Sequence, residues 1–275
     1  MRIKICGVQM SPSADIHSSA LKAIDFLAMA AKNKAGIVCF PELFLMNWFL
    51  QNNSPDNMDA HYKTAEDLNG KTISLFREQA KRFNIVTIVP FFEKLENKYY
   101  NSSAVIDEEG GIVGVYRKIH LPELEYYKEK SYFSSGDEIP VFKTKYGNIG
   151  IQMGWDNFYP ESSRILALKG ADIIFAPTAS AFNTNGKWFL SISASAFLNG
   201  LYILRVNRVG RDKPLDFYGK SFCVSPDGSI INDFAGINEC AVIYNIDTNE
   251  VKSARENWPF MENRAKTAYK DIVNY

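Results

Sequence analysis

The stretch Gly150 to Glu161, GIQMGWDNFYPE, reads as the end of a buried strand, a sharp corner and the start of a helix. Asp156 or Asn157 is placed to cap a helix whose first turn holds Pro160 and Glu161. Such a corner pushes the residue at its tip towards solvent and towards the helix amide groups, as a nucleophile elbow does. The tip here is Gly154, which displays no side chain; taken alone, the corner favours reading it as a glycine easing a tight turn.

Working outward, the same alternation continues in both directions. Upstream, VFKTKYGNIGIQMG supplies strands. Downstream, PESSRILALKGADIIFAPT gives helix, glycine stop and strand, and SISASAFLNGLYILRVNRVG repeats the pattern. FYGKSFCVSPDGSIINDF and CAVIYNID follow as a hairpin and a closing strand. In the first half, IKICGVQM is a strand, and the next segment carries Leu21, Ile24, Leu27 and Ala31 on one helical stripe up to Gly36. GIVCF, cut off by Pro41, is a second buried strand. A helix ISLFREQAKRF, a strand IVTIVPFFE and two strands joined at Gly110-Gly111 complete this half. Strands alternating with helices predict an α/β fold with helices covering sheets, and no linker divides the chain. Residues 1–275 therefore read as one domain, with 254–275, rich in aromatics such as Trp258, Phe260 and Tyr269, as local core or an interface extension.

Composition narrows the function. The 275 residues hold 31 basic and 31 acidic side chains, a formal charge of zero, which leaves no footprint for nucleic acid or anionic lipid. No apolar run approaches the roughly 18 residues of a membrane span. The cysteines Cys6, Cys39, Cys223 and Cys240 are scattered and no secretory leader precedes them, so a reduced, cytoplasmic protein is expected. His17, His61 and His120 show no metal-ligand spacing, and GxSxG, P-loop and GxGxxG signatures are all missing, so no metal and no cofactor is expected.

Polar groups directly after buried strands are the candidates for chemistry, because ligands of α/β proteins gather at strand carboxyl ends. Glu42 follows IVCFP, Lys118 follows IVGVYR, and Gly154-Trp155-Asp156 follows IGIQM; Glu129 sits in the polar, aromatic segment between Lys118 and Asp137, which reads as a functional loop. Singly, each has an ordinary explanation: a cap, a solvated edge lysine, a wet charge cluster.

Together they resemble the nitrilase superfamily of carbon-nitrogen hydrolases along nearly the whole chain. The matching motifs are CFPEL around Glu42, YRKIHLPE around Lys118, EKSYFSSGD around Glu129, WDNFYPESSRILALKGADIIFAPT after the corner, NGLYILRVNRVG, FYGKSFCVSPDG and WPFMENR. The RKIHLPE to SSGD loop is most similar to the branch that hydrolyses N-carbamoyl amines such as N-carbamoylputrescine and N-carbamoyl-β-alanine. The resemblance implies a four-layer αββα sandwich, assembly into homodimers or larger homo-oligomers, and a small amide or N-carbamoyl amine as partner. It also implies that Glu42 is the general base, that Lys118 stabilises the oxyanion, that Glu129 is the second, loop-borne glutamate, and that the nucleophilic cysteine falls on Gly154. Trp155 and Asp156 at the corner, with Trp48, Tyr127 and Trp188, are the expected substrate-lining residues.

In such an enzyme the thiolate attacks the carbonyl carbon, ammonia leaves, and water hydrolyses the thioester. Gly154 removes the attacking atom, and none of the four cysteines lies in a matching motif. A nearly inactive chain is expected. Three explanations stay open: a natural pseudoenzyme that binds a ligand or partner, a glycine placed there to hold an unreacted complex, and a water in the vacated space activated by Glu42.

Overall fold

Two six-stranded sheets lie face to face in the computed structural model, which describes residues 1–273. The first half of the chain holds β1 (Arg2–Gln9), α1 (Ile16–Lys32), β2 (Ile37–Cys39), α2 (Pro55–Tyr62), α3 (Lys71–Phe83), β3 (Val86–Leu95), β4 (Lys98–Ile106) and β5 (Ile112–Arg117). A crossing segment contributes β6 (Glu123–Leu124), β7 (Tyr127–Lys128) and the one-turn α4 (Glu129–Tyr132). The second half holds β8 (Phe142–Thr144), β9 (Gly147–Ile151), α5 (Pro160–Leu168), β10 (Ile173–Thr178), α6 (Asn185–Asn199) and β11 (Tyr202–Asn207). It continues with β12 (Val209–Asp212), β13 (Leu215–Tyr218), β14 (Phe222–Val224), β15 (Ile230–Ile231), β16 (Cys240–Asp247) and α7 (Asn249–Asn257). The first sheet runs β16-β1-β2-β3-β4-β5 and the second β15-β14-β11-β10-β9-β8.

The layering follows from strands buried on both faces, whose successive side chains enter different cores. On β1, Ile5 points between the sheets while Cys6 and Val8 point to the helices. The inter-sheet core joins Ile5, Ile37 and Ile88 to Ile151, Phe175 and Leu204. Outside the first sheet, Leu27, Ile73 and Phe76 of α1 and α3 cover Val38 and Val89; outside the second, Leu166, Ile192 and Ala196 of α5 and α6 cover Ile174 and Ile203. The result is the four-layer αββα sandwich that the motifs implied, and each fully buried aliphatic side chain contributes about 1.5–3 kcal/mol of transfer free energy.

One helical face differs from the sequence reading. Asp15 caps α1 by accepting from the Ser18 N–H at 2.8 Å, but Leu21 is 48% exposed, and the side chains against the sheet are Ala20, Ala23, Leu27 and Ala30. Alanines let the helix approach the strands closely, so the buried stripe lies about one position away from the one drawn through the larger residues. At the other end of the chain, Trp258 and Tyr269 are exposed rather than core, with Trp258 stacked on Phe260 and set edge-on to Phe197. Among the described residues no helix is long and apolar enough to cross a membrane.

Candidate active site

Three strand ends and one loop meet at one end of the sandwich. Glu42 follows β2 by three residues. Lys118 directly follows β5, its N–H donating to the Asn101 carbonyl of β4 at 2.9 Å. Glu129 opens α4, anchored by its N–H on the Pro122 carbonyl at 3.0 Å. The Lys118 ammonium donates to Glu42 Oε1 at 2.7 Å and to both Glu129 oxygens at 2.7 Å, and the Asn101 amide donates to Glu42 Oε1 at 2.8 Å. All four side chains are at most 2% exposed. Asn101 went unrecognised in the sequence, because a polar residue inside a strand that otherwise alternates reads as a ladder position facing water.

Charge in this cluster is held by mutual compensation. Burial by itself would pull the Lys118 pKa down, but Glu129 and Glu42 outweigh it and hold the ammonium above the ordinary lysine value. Glu129 is pushed up to about 8, chiefly by burial and further by Glu42, against the opposing pull of Lys118 and Asn101. Because folding raises the Glu129 pKa, the folded state binds that proton more tightly. The stabilisation is complete below about pH 4.5 and is lost as pH climbs towards 8, on the order of a few kcal/mol in all. Melting scans across pH 5–8 should show this decline, and Glu129→Gln should flatten it; an unchanged slope in the variant would assign the decline to other groups.

The corner stands against this cluster. Gly154 has φ +45° and opens a 3-10 turn, Gly154–Phe158, directly after β9 and Gln152-Met153. A Cβ at position 154 would fall 2.7 Å from Lys118 Nζ and 2.9 Å from Glu42 Oε2, so the tip of the bend is aimed at the ion cluster. The turn is held from within: Asn157 Nδ2 donates to the Gly154 carbonyl at 2.9 Å, and Asp156 accepts from the Met153 N–H at 2.9 Å. Asp156 also accepts from the Tyr116 hydroxyl at 2.6 Å, the His120 N–H at 3.0 Å and His120 Nδ1 at 2.8 Å. Here the sequence reading is corrected twice. Neither Asp156 nor Asn157 caps α5, which starts at Tyr159-Pro160 without a side-chain cap. Asp156, wholly buried, fastens the elbow to β5 and the loop after it instead of lining the cavity.

A cavity of about 550 Å³ opens over the cluster, with Glu42, Lys118, Glu129 and Gly154 at its floor. Of the expected lining residues, Trp155, Tyr127 and Trp188 form its walls, joined by Phe158, Tyr159 and Phe182. The Tyr127 hydroxyl is committed to backbone, donating to the Ala179 carbonyl at 3.1 Å and accepting from the Ala181 N–H at 3.2 Å. Trp48 is not at the surface of the cavity. It is 1% exposed, donates from Nε1 to the Tyr126 carbonyl at 2.9 Å, and packs 5.3 Å from Tyr127 as a support behind the wall. An aromatic in a loop gives no sign in the sequence of which side of a wall it occupies.

The thiols are elsewhere. Cys6, Cys39 and Cys223 are buried within strands of the sandwich, and burial pushes the Cys6 thiol up to about 12 and raises the other two as well. None of the four lines the cavity.

A family profile described as carbon-nitrogen hydrolase matches residues 4–256. The chain is 31% identical over 288 residues to a protein named N-carbamoylputrescine amidase from Arabidopsis thaliana, covering 98% of this chain and 95% of that one. Among solved structures, it superposes on a carbon-nitrogen hydrolase from Helicobacter pylori G27 with a TM-score of 0.92, 29% identity and 99% coverage of both chains. Saccharomyces cerevisiae Nit3, a member of branch 10 of the nitrilase superfamily, superposes with a TM-score of 0.81 and 26% identity, covering 96% of this chain and 97% of that one.

Proposed function

The chain belongs to the carbon-nitrogen hydrolase family, and from that premise we propose that its cavity binds a small amide or N-carbamoyl compound and, lacking a nucleophile, turns it over very slowly or not at all. The observation that carries this reading is the position of Gly154: a side chain there would project into hydrogen-bonding range of both Lys118 and Glu42, and none is present. In the proposed complex the ligand carbonyl oxygen meets the Lys118 ammonium, Glu42 accepts from a ligand N–H or from water, and Glu129 keeps Lys118 in place. The carbonyl carbon then lies over Gly154 with no atom to attack it. Resemblance to proteins named N-carbamoylputrescine amidase supports the carbamoyl and amide class. Exposed Leu168, Leu190 and Leu198 on and beside α5 and α6 support assembly into a homo-oligomer.

Ligand binding is tested by melting the chain in the presence of ureido compounds and ω-amides. A true ligand at a hundredfold excess over its Kd stabilises by about 2.7 kcal/mol, and Glu42→Gln, which keeps the shape but loses the charged acceptor, should reduce the shift. A pocket indifferent to every compound of that panel would overturn the reading.

A further inference from the structure

Hydrogen bonding to Glu42 is lopsided. Its Oε1 accepts from the Asn101 amide at 2.8 Å and from the Lys118 ammonium at 2.7 Å, whereas Oε2 accepts from no group among the described residues. The free oxygen is the one nearer the corner: a Cβ at position 154 would stand 2.9 Å from Oε2 and 3.2 Å from Oε1. Glu42 therefore offers one unengaged acceptor at the cavity floor while two donors grip its other oxygen.

The two donors differ in what else they must do. An ammonium has three protons, and Lys118 makes three bonds, to Glu42 Oε1 and to both oxygens of Glu129, each at 2.7 Å. A ligand carbonyl that meets this ammonium has to take one of them. Asn101 has no such competing duty, and its backbone is the firmest in the cluster: it lies inside β4, between β3 and β5. Glu42, in contrast, stands in the segment after β2, and Glu129 opens the one-turn α4. Asn101 is wholly buried, and its Oδ1 has no partner. An orphaned buried acceptor costs free energy, so only the donor end of this amide is employed. Exchanging its nitrogen and oxygen would set the oxygen against Glu42 at 2.8 Å and Glu129 at 3.5 Å, which fixes the orientation.

We infer that Asn101 is a positioning residue that grips Glu42 by Oε1 while Lys118 turns to a ligand carbonyl, and so keeps Oε2 aimed at an N–H of the ligand lying over Gly154. The inference rests on the reading that the cavity takes an amide or N-carbamoyl compound.

Asn101→Leu keeps the volume and removes both the donor and the orphaned acceptor. Two probes that differ only at one atom, N-methylacetamide and methyl acetate, are titrated calorimetrically into the intact chain at pH 7; the first has an N–H for Oε2, the second has none. The substitution should weaken the amide about tenfold, the worth of a hydrogen bond to a charged group, and leave the ester nearly unchanged. A loss shared equally by both compounds marks a merely structural residue and overturns the inference, as does no loss for the amide. A second readout needs no amide. The thiol of Gly154→Cys, captured by methyl methanethiosulfonate across pH 6–9, should react about tenfold more slowly at pH 7 once Asn101→Leu is added, with the profile displaced upward, because Oε2 no longer meets the thiol proton. Superimposable profiles overturn the inference. Should neither probe bind the parent chain, the amide-pocket reading falls and the thiol profile alone judges Asn101.

Discussion

Gly154→Cys should raise ammonia release from ureido or ω-amide substrates by roughly three orders of magnitude or more, since removal of a nucleophile from an otherwise complete hydrolytic site costs about 10⁴–10⁶ in turnover. The gain should fall short of that full range for a geometric reason. A Cβ at position 154 lies 2.7 Å from Lys118 Nζ and 2.9 Å from Glu42 Oε2, so both side-chain ends must give way. The backbone φ of +45° adds about 1–2 kcal/mol of strain for any residue with a Cβ. Gly154→Ala carries the same strain without sulfur and should gain nothing. The introduced thiol, beside a buried ammonium, should react with iodoacetamide far faster than Cys6, Cys39 or Cys223, whose thiols burial holds protonated. A folded, alkylatable variant with no ammonia release across the substrate panel would sink the proposed chemistry.

Lys118→Met should destabilise the protein by about 3–5 kcal/mol, because it leaves two carboxylates buried without their cation. Lys118 is 1% exposed and is the donor common to Glu42 and Glu129. Protonation of the carboxylates relieves part of the loss, so the deficit should be smaller at pH 5 than at pH 8, measured by urea denaturation at each pH. The charge explanation is separable from a packing explanation. Combining Lys118→Met with Glu42→Gln and Glu129→Gln removes the orphaned charges and should recover most of the stability. A triple variant as weak as the single one would mean that the loss comes from shape.

Much of this was legible in the sequence for identifiable reasons. Strands such as IIFAPT and IVCF are short apolar runs bounded by glycine or proline, and a residue type that ends such a run is conspicuous: Glu42 and Lys118 stood out because a charge follows a core strand. Gly154 stood out because strand, corner and Pro160 lie within ten residues. What stayed hidden depends on which strands are neighbours. Asn101 matters because β4 lies beside β5, which sets its amide next to the two glutamates. Asp156 looked like a cap because it stands just before a helix, and its four donors come from Met153, Tyr116 and His120, two of them distant in the chain.

The outermost strand of the first sheet is also its last to be made. β16 pairs with β1 along eight residues, Arg2 with Asp247 through Gln9 with Cys240. During synthesis β1 therefore leaves the ribosome with one flank open and stays so until β16, more than two hundred residues later, has emerged. The nascent half-sandwich presents an apolar, hydrogen-bond-hungry margin of the kind that recruits other chains. Expression yield should accordingly depend on chaperone supply, and a product broken off before Cys240 should aggregate while the full chain does not.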